Sequence, residues 1–103
     1  DTALVGGELV MVRELTSGAE LIAEGRRMRH CVATYTRDCL ELRSAVFSIR
    51  IGEDDPHGEL TVEVGRDTRR VLQARGRWNR RPDDHEHGIL RLWADLHGLV
   101  PAC

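Results

Sequence analysis

The stretch MRHCVATYTRDC, residues 28–39, sets His30 beside Cys31, with Tyr35 and then Cys39 following at spacings of four. Three chemistries fit these residue types: a nucleophilic thiol, half of a metal site, or a helix face that happens to contain sulfur. Neighbours on a helix point about 100° apart, so adjacency alone does not pair the Cys31 thiol with the His30 imidazole. His30 serves as a base only if a helix begins there and its ring turns back. Cys31 is better placed as a thiolate, because a helix N-terminus lowers a thiol pKa and Arg27 and Arg29 push the same way. The plainer reading of Cys31 is a small buried hydrophobe, as most free cysteines are. Cys39 shares an apolar stripe with Val32, Tyr35 and Leu42 and reads as core.

A second group of residues suits anions. Residues 66–81 hold seven arginines against one acid, Asp67. Among them Arg75, Arg77, Arg80 and Arg81 surround Trp78 and Asn79. Arginine forks clamp phosphate, an indole face stacks a base, and an asparagine amide reads a polar edge. The acidic run that follows, DDHEH at residues 83–87, is dense in metal-ligating side chains. Asp83 and Asp84 are also what a helix start favours, and His85, Glu86 and His87 are too close in sequence to share one helix face. His30, Cys31 and Cys39 lack the spacing of a zinc knuckle. Neither a metal nor a cofactor is therefore expected.

Such residues need elements to position them. Residues 8–14 read as a short strand. Ser17 to Glu20 has capping-box spacing and opens a helix to about residue 27, interrupted near Gly25. A second helix is expected over 30–42. Three alternating runs follow, at 45–51, 59–64 and 70–76, joined by short turn sequences, which implies an antiparallel meander. In these runs Phe47, Ile49 and Ile51, then Leu60, Val62 and Val64, then Leu72 and Ala74 fall on one face. A last helix fits 83–97, with Ile89, Leu90, Trp93 and Leu96 inward, Pro82 at its start and Gly98 past its end. The expected fold is α+β: a small antiparallel sheet of three to four strands with helices packed on one face. Period-2 geometry puts Ser48, Arg50, Thr61, Glu63, Gln73 and Arg75 together on the other face. That face reads either as a solvated surface with cross-strand Arg–Glu pairs or as a binding site.

Composition bounds the answer. The chain has 103 residues, the size of one domain over 1–103, and its net charge of −2 argues against general attraction to nucleic acid. All of its fifteen basic residues are arginine. A GC-rich genome explains that, and so does selection for planar donors to phosphate or carboxylate. No apolar run approaches the ~20 residues that span a bilayer, so no membrane association is expected. Three cysteines form a poor disulfide framework, and with no visible leader they point to the cytoplasm. The chain opens on Asp1 rather than Met, as a fragment of a longer protein would.

The motifs EGRRMRHCVATY, LTVEV and VLQARGRWNRRP, followed by a tryptophan-bearing helix, resemble the PcfJ-like domain family. Its pattern EG-x-x-M-x-H-C-V-x-x-Y meets Glu24, Gly25, Met28, His30, Cys31, Val32 and Tyr35. Its T-x-E meets Thr61 and Glu63, and its Q-x-x-G-x-x-N meets Gln73, Gly76 and Asn79. The resemblance covers roughly residues 15–97. It implies an association with conjugative plasmids, phages and other mobile elements, and a domain often embedded in a larger chain. The function expected is a nucleic-acid-associated module of a mobile-element protein, binding phosphate or a nucleotide at a polar sheet-face site. Arg50, Gln73, Arg75 and Asn79 would hold the ligand, and Arg77, Trp78, Arg80 and Arg81 would meet nucleic acid. One alternative is a small hydrolase or transferase-type enzyme using His30 with Glu63 or Cys31, and Tyr35 nearby. Another is a protein-interaction domain without chemistry. The partners expected are nucleic acid or a nucleotide, and the rest of a longer parent protein.

Overall fold

The computed structural model describes residues 2–28, 44–52 and 58–100. Five strands form one antiparallel sheet in chain order: β1 (Thr2–Val5), β2 (Glu8–Leu15), β3 (Ser44–Ile51), β4 (Gly58–Gly65) and β5 (Val71–Arg75). Helix α1 (Gly18–Met28) follows β2, and helix α2 (Asp84–Leu96) follows β5. The class is α+β with an antiparallel sheet, as expected. The helix expected over 30–42 lies outside the described residues. No described helix is long and apolar enough to cross a membrane.

The sheet has five strands rather than three or four, because the sequence reading missed β1. Gly6 and Gly7 sit at φ 59° and 81°, so both central residues of the turn are left-handed. That is the two-residue turn whose twist matches paired strands, and glycine adopts it without a Cβ penalty. It closes a hairpin with Val5 opposite Glu8. Three of the four β1 residues are exposed, which hides the strand from hydrophobic patterning.

The expectation that the helices share one face is also overturned. Helix α2 packs its Ile89, Leu90, Trp93 and Ala94 against the apolar face, with Val10, Ile49, Leu60 and Val62 among its neighbours. Trp93 meets Phe47 edge-on, ring centroids 5.4 Å apart. Helix α1 lies across the other face, where Leu21 joins Leu15 and Val46 and where Glu24 and Arg27 reach Thr61 and Ser48. The cause is composition. The apolar positions of α1 are few, and Glu24 and Gly25 sit buried between Leu21 and Met28. Such a face fits a surface that offers hydroxyls and charges. Gly25 does not interrupt the helix, which runs unbroken for 11 residues. At its start Ser17 Oγ accepts from the Glu20 N–H, and Glu20 accepts from the Thr16 N–H. The Thr16 N–H foremost, with the Thr16 and Ser17 hydroxyls that also donate to it, holds the Glu20 carboxyl below its ordinary pKa.

Two inward positions also differ from expectation. A register shift falls in β4 between Glu63 and Val64, so that Gln73 opposes Glu63 but Val71 opposes Val64. The extra residue on β5 is Leu72, which is 51% exposed, while Val71 takes the buried place. In α2 Leu96 is exposed, and Glu86 and Ala94 complete the buried stripe instead. The register can be tested directly. Val71→Ala should lower unfolding free energy by about 2 kcal/mol, and Leu72→Ala by under about 0.5 kcal/mol, in urea titrations. Equal costs would mean that the bulge is misplaced.

Candidate functional site

Cross-strand register arranges the polar face in rows. Thr2, Met11, Arg50 and Glu59 are successive partners across β1 to β4. Arg13, Ser48, Thr61 and Arg75 form the next row, and Leu15, Val46, Glu63 and Gln73 the third. All six polar residues assigned to this face by alternation are therefore on it. The face is not a solvated surface: Ser48, Glu59, Thr61 and Glu63 are buried, as is Glu24 of α1.

What fills the space is an ionic layer. Thr61 Oγ1 donates to Glu24 Oε2 at 2.7 Å, and Arg27 Nη2 donates to Glu24 Oε1 at 2.8 Å and to Ser48 Oγ at 3.2 Å. The other end of the Arg27 fork lies 2.9 Å from Glu59 Oε1. Arg50 and Arg77 also approach Glu59, at 3.4 and 3.5 Å. Guanidiniums from α1, from β3 and from the segment after β5 thus gather on one carboxylate. Burial works against the Arg27 charge, but the bond and charge of Glu24, with Glu59 added, outweigh it and raise its pKa.

After β5 the chain turns tightly through a 3₁₀ segment, Arg77–Asn79, which lies against α1. Trp78 and Asn79 have φ 61° and 62°. Asparagine tolerates that region; tryptophan there is strained. The Gly76 N–H donates to the Arg80 carbonyl at 2.8 Å, closing the turn. Gly76 itself has φ −91°, so its role is not conformational freedom. A Cβ there would fall 2.7 Å from Arg80 Cζ. Arg80 cannot easily give way, because its fork bonds both oxygens of Glu86 at 2.6 and 2.8 Å. Glu86 is 1% exposed and belongs to a capping box with Asp83 at the start of α2. Its hydrogen bond is the main cause of the raised Arg80 pKa.

These positions can be set against the sequence reading. Glu63 and Gln73 are direct cross-strand partners, and Arg75, opposite Thr61, donates to the Ala74 carbonyl. Arg50 and Arg77 join the Glu59 cluster. Arg80 is committed to Glu86, which explains it structurally, and Asn79 is explained in part by its backbone. Arg81 lines a separate groove at the β5 edge with Gln73, Arg75 and His87. Trp78 is 74% exposed at the turn. His30, Cys31 and Tyr35 lie outside the described residues. Sequence reasoning missed Glu24, Arg27 and Glu59 as the centre of the face. Glu59 shares the alternation of Thr61 and Glu63, and Glu24 falls three residues from both Leu21 and Arg27, so a signal was present for each. Among the described residues no three His, Cys, Asp or Glu side chains gather as a metal site.

The fold and this layer define a small α+β domain, an antiparallel sheet with a helix on each face and ion pairs buried beneath one of them. The chain belongs to the PcfJ-like protein family, whose model matches residues 3–89. No curated protein and no solved structure matches it.

Two of the buried glutamates, Glu24 and Glu86, can be tested by removing a donor. Thr61→Val keeps shape but leaves Glu24 short of a hydrogen bond, and should cost about 1–3 kcal/mol by chemical denaturation. Among the described residues, Arg80→Ala leaves the Glu86 carboxylate with one donor, the Asp83 N–H, and should cost about 2–3 kcal/mol, somewhat less than a wholly buried pair because Arg80 is partly in water. A loss under about 0.5 kcal/mol in either would show that the carboxylate does not need that partner.

Proposed function

We propose that this domain binds phosphate groups of a nucleotide or nucleic acid at the rim of its polar sheet face, as a nucleic-acid-associated module of a mobile-element protein. The observation that carries the reading is a local excess of arginine. Arg27, Arg50 and Arg77 share two carboxylates, Glu24 and Glu59. Among the described residues, three guanidiniums against two carboxylates leave a positive charge, and Arg13 in the adjoining row adds another. A cavity of about 320 Å³ opens there, and its lining includes Arg13, Arg27, Arg50, Thr2 and Ser48, with no carboxylate among the described residues. Arginine forks and hydroxyls are the donors that phosphate oxygens take. The net charge of −2 does not oppose this, because binding follows the local field. Association of the family with plasmids and phages supports the mobile-element role by analogy.

A second reading has one observation in its favour. Glu63 is 8% exposed, faces Gln73, and makes no ion pair among the described residues. A buried carboxylate held in that way suits acid–base work, as in a small hydrolase or transferase. Its supposed partners, His30 and Cys31, lie outside the described residues.

The phosphate reading is tested with the double variant Arg13→Ala/Arg50→Ala. Arg13 is exposed, and the Arg50 pair with Glu59 is worth ~0–1 kcal/mol at that surface, so the fold should survive. Affinity for a labelled oligonucleotide should fall for every sequence tried. The slope of log affinity against log salt should flatten by about 1.4, or roughly 0.7 per contact on a single strand. An unchanged slope would remove these arginines from the interface.

A further inference from the structure

We infer that the ligand of this site is single-stranded nucleic acid, with one base stacked on the Trp78 indole and its backbone crossing the arginine rim; this rests on the phosphate-binding reading above.

Trp78 is both strained and exposed, at φ 61° and 74% accessible. Left-handed backbone at a bulky residue persists only where surroundings enforce it, and it concentrates at ligand-holding turns. Here the enforcement is visible. Glu86 holds Arg80, Arg80 lies on Gly76, and Gly76 bonds back to the Arg80 carbonyl. The buried start of α2 therefore fixes a turn whose most prominent side chain is a large aromatic. An indole displayed in this way is a stacking platform, and every base has a face to offer it.

Arg77, next in chain to Trp78, leans on Glu59, and Glu59 continues across the sheet through Arg50 and Met11 to Thr2. The stacking residue thus stands at one end of the row whose other end opens into the arginine-lined cavity. Three inter-strand gaps of about 4.8 Å make that row about 14 Å long, enough for two or three nucleotides.

A duplex keeps its bases stacked and shows an indole only its edges and phosphates. Reading it takes a helix or ribbon in the major groove, or a wedge that unstacks a step. Neither described helix suits the groove: α2 carries Asp84, Glu86 and Asp95 against Arg91, and α1 sets Glu20 and Glu24 against Arg26 and Arg27, of which Arg27 is tied into the ionic layer. A single strand has already freed its bases.

The chain has two tryptophans, and Trp93 is 4% exposed against Phe47, so added ligand should change the emission of Trp78. The experiment titrates the protein with oligothymidylate of ~12 nucleotides, a duplex of equal length and inorganic polyphosphate. It is repeated with Trp78→Gly, which relieves the left-handed strain, and with Trp78→Phe, which keeps a ring, each first shown to be folded by its thermal melt. The expected result is quenching by oligothymidylate and affinity roughly 10-fold or more above that for polyphosphate and duplex. Trp78→Gly should lose about that factor for oligothymidylate and nothing for polyphosphate, and Trp78→Phe should recover most of it. Equal affinity for oligothymidylate and polyphosphate, with Trp78→Gly harmless, would overturn the inference and leave the phosphate reading standing. Duplex bound as tightly as single strand would overturn it as well. Failure of all three probes to bind would remove both readings.

Discussion

A carboxylate withdrawn from water must find donors, and the buried Glu24 finds them in Thr61 of the sheet and Arg27 of its own helix. Much of the architecture follows from that requirement. A helix with so few apolar positions cannot dock on hydrophobic packing alone. It docks where hydroxyls and guanidiniums answer its charge, which is the face of the sheet that α2 leaves open. Because Arg27 bridges Glu24 and Glu59, the same contact that seats α1 draws Arg50 and Arg77 toward one carboxylate. The buried layer is close to charge-balanced, and its surplus lies at the rim, where arginines still reach water.

The other helix repeats the device with different geometry. Glu86 lies one turn into α2, where its backbone bonds complete a capping box and its two oxygens take the Arg80 fork. In α1 the buried acid ties helix to sheet; in α2 it ties helix to the preceding turn. Breaking either pair by truncation leaves a charge in a place that water does not reach, which costs more than the pair itself contributes. Structure and site are therefore coupled through glutamates, and the turn bearing Trp78 inherits its rigidity from a helix start.

Legibility in the sequence varied with physical cause. The β3, β4 and β5 runs and α2 were readable to within a few residues, because alternation, turn chemistry and capping agree there. The composition of the polar face was readable too, since period 2 leaves no choice once the strands pair in order. β1 was not, because a short edge strand with three exposed residues carries no pattern. Leu72 misled because a bulge shifts parity, and nothing in five residues announces it. The side on which α1 packs was hidden because a buried glutamate looks like a solvent-facing one until its partner is known. Gly76 stood in the motif with no stated cause, and the cause is steric, a side chain four residues away.

The pairing of every strand with its sequence neighbour also shapes how the chain reaches this state. β1 with β2, and β4 with β5, close across short turns, at small cost in loop entropy. The join between β2 and β3 is different, because segment 16–43 must be enclosed before Leu15 meets Val46. Non-local closure is what slows small domains. Two locally assembled units, the β1–β2 hairpin and the β3–β5 meander, thus face one expensive union. The contacts that first reward it are those of α1, which carries Leu21 to the very strands being joined.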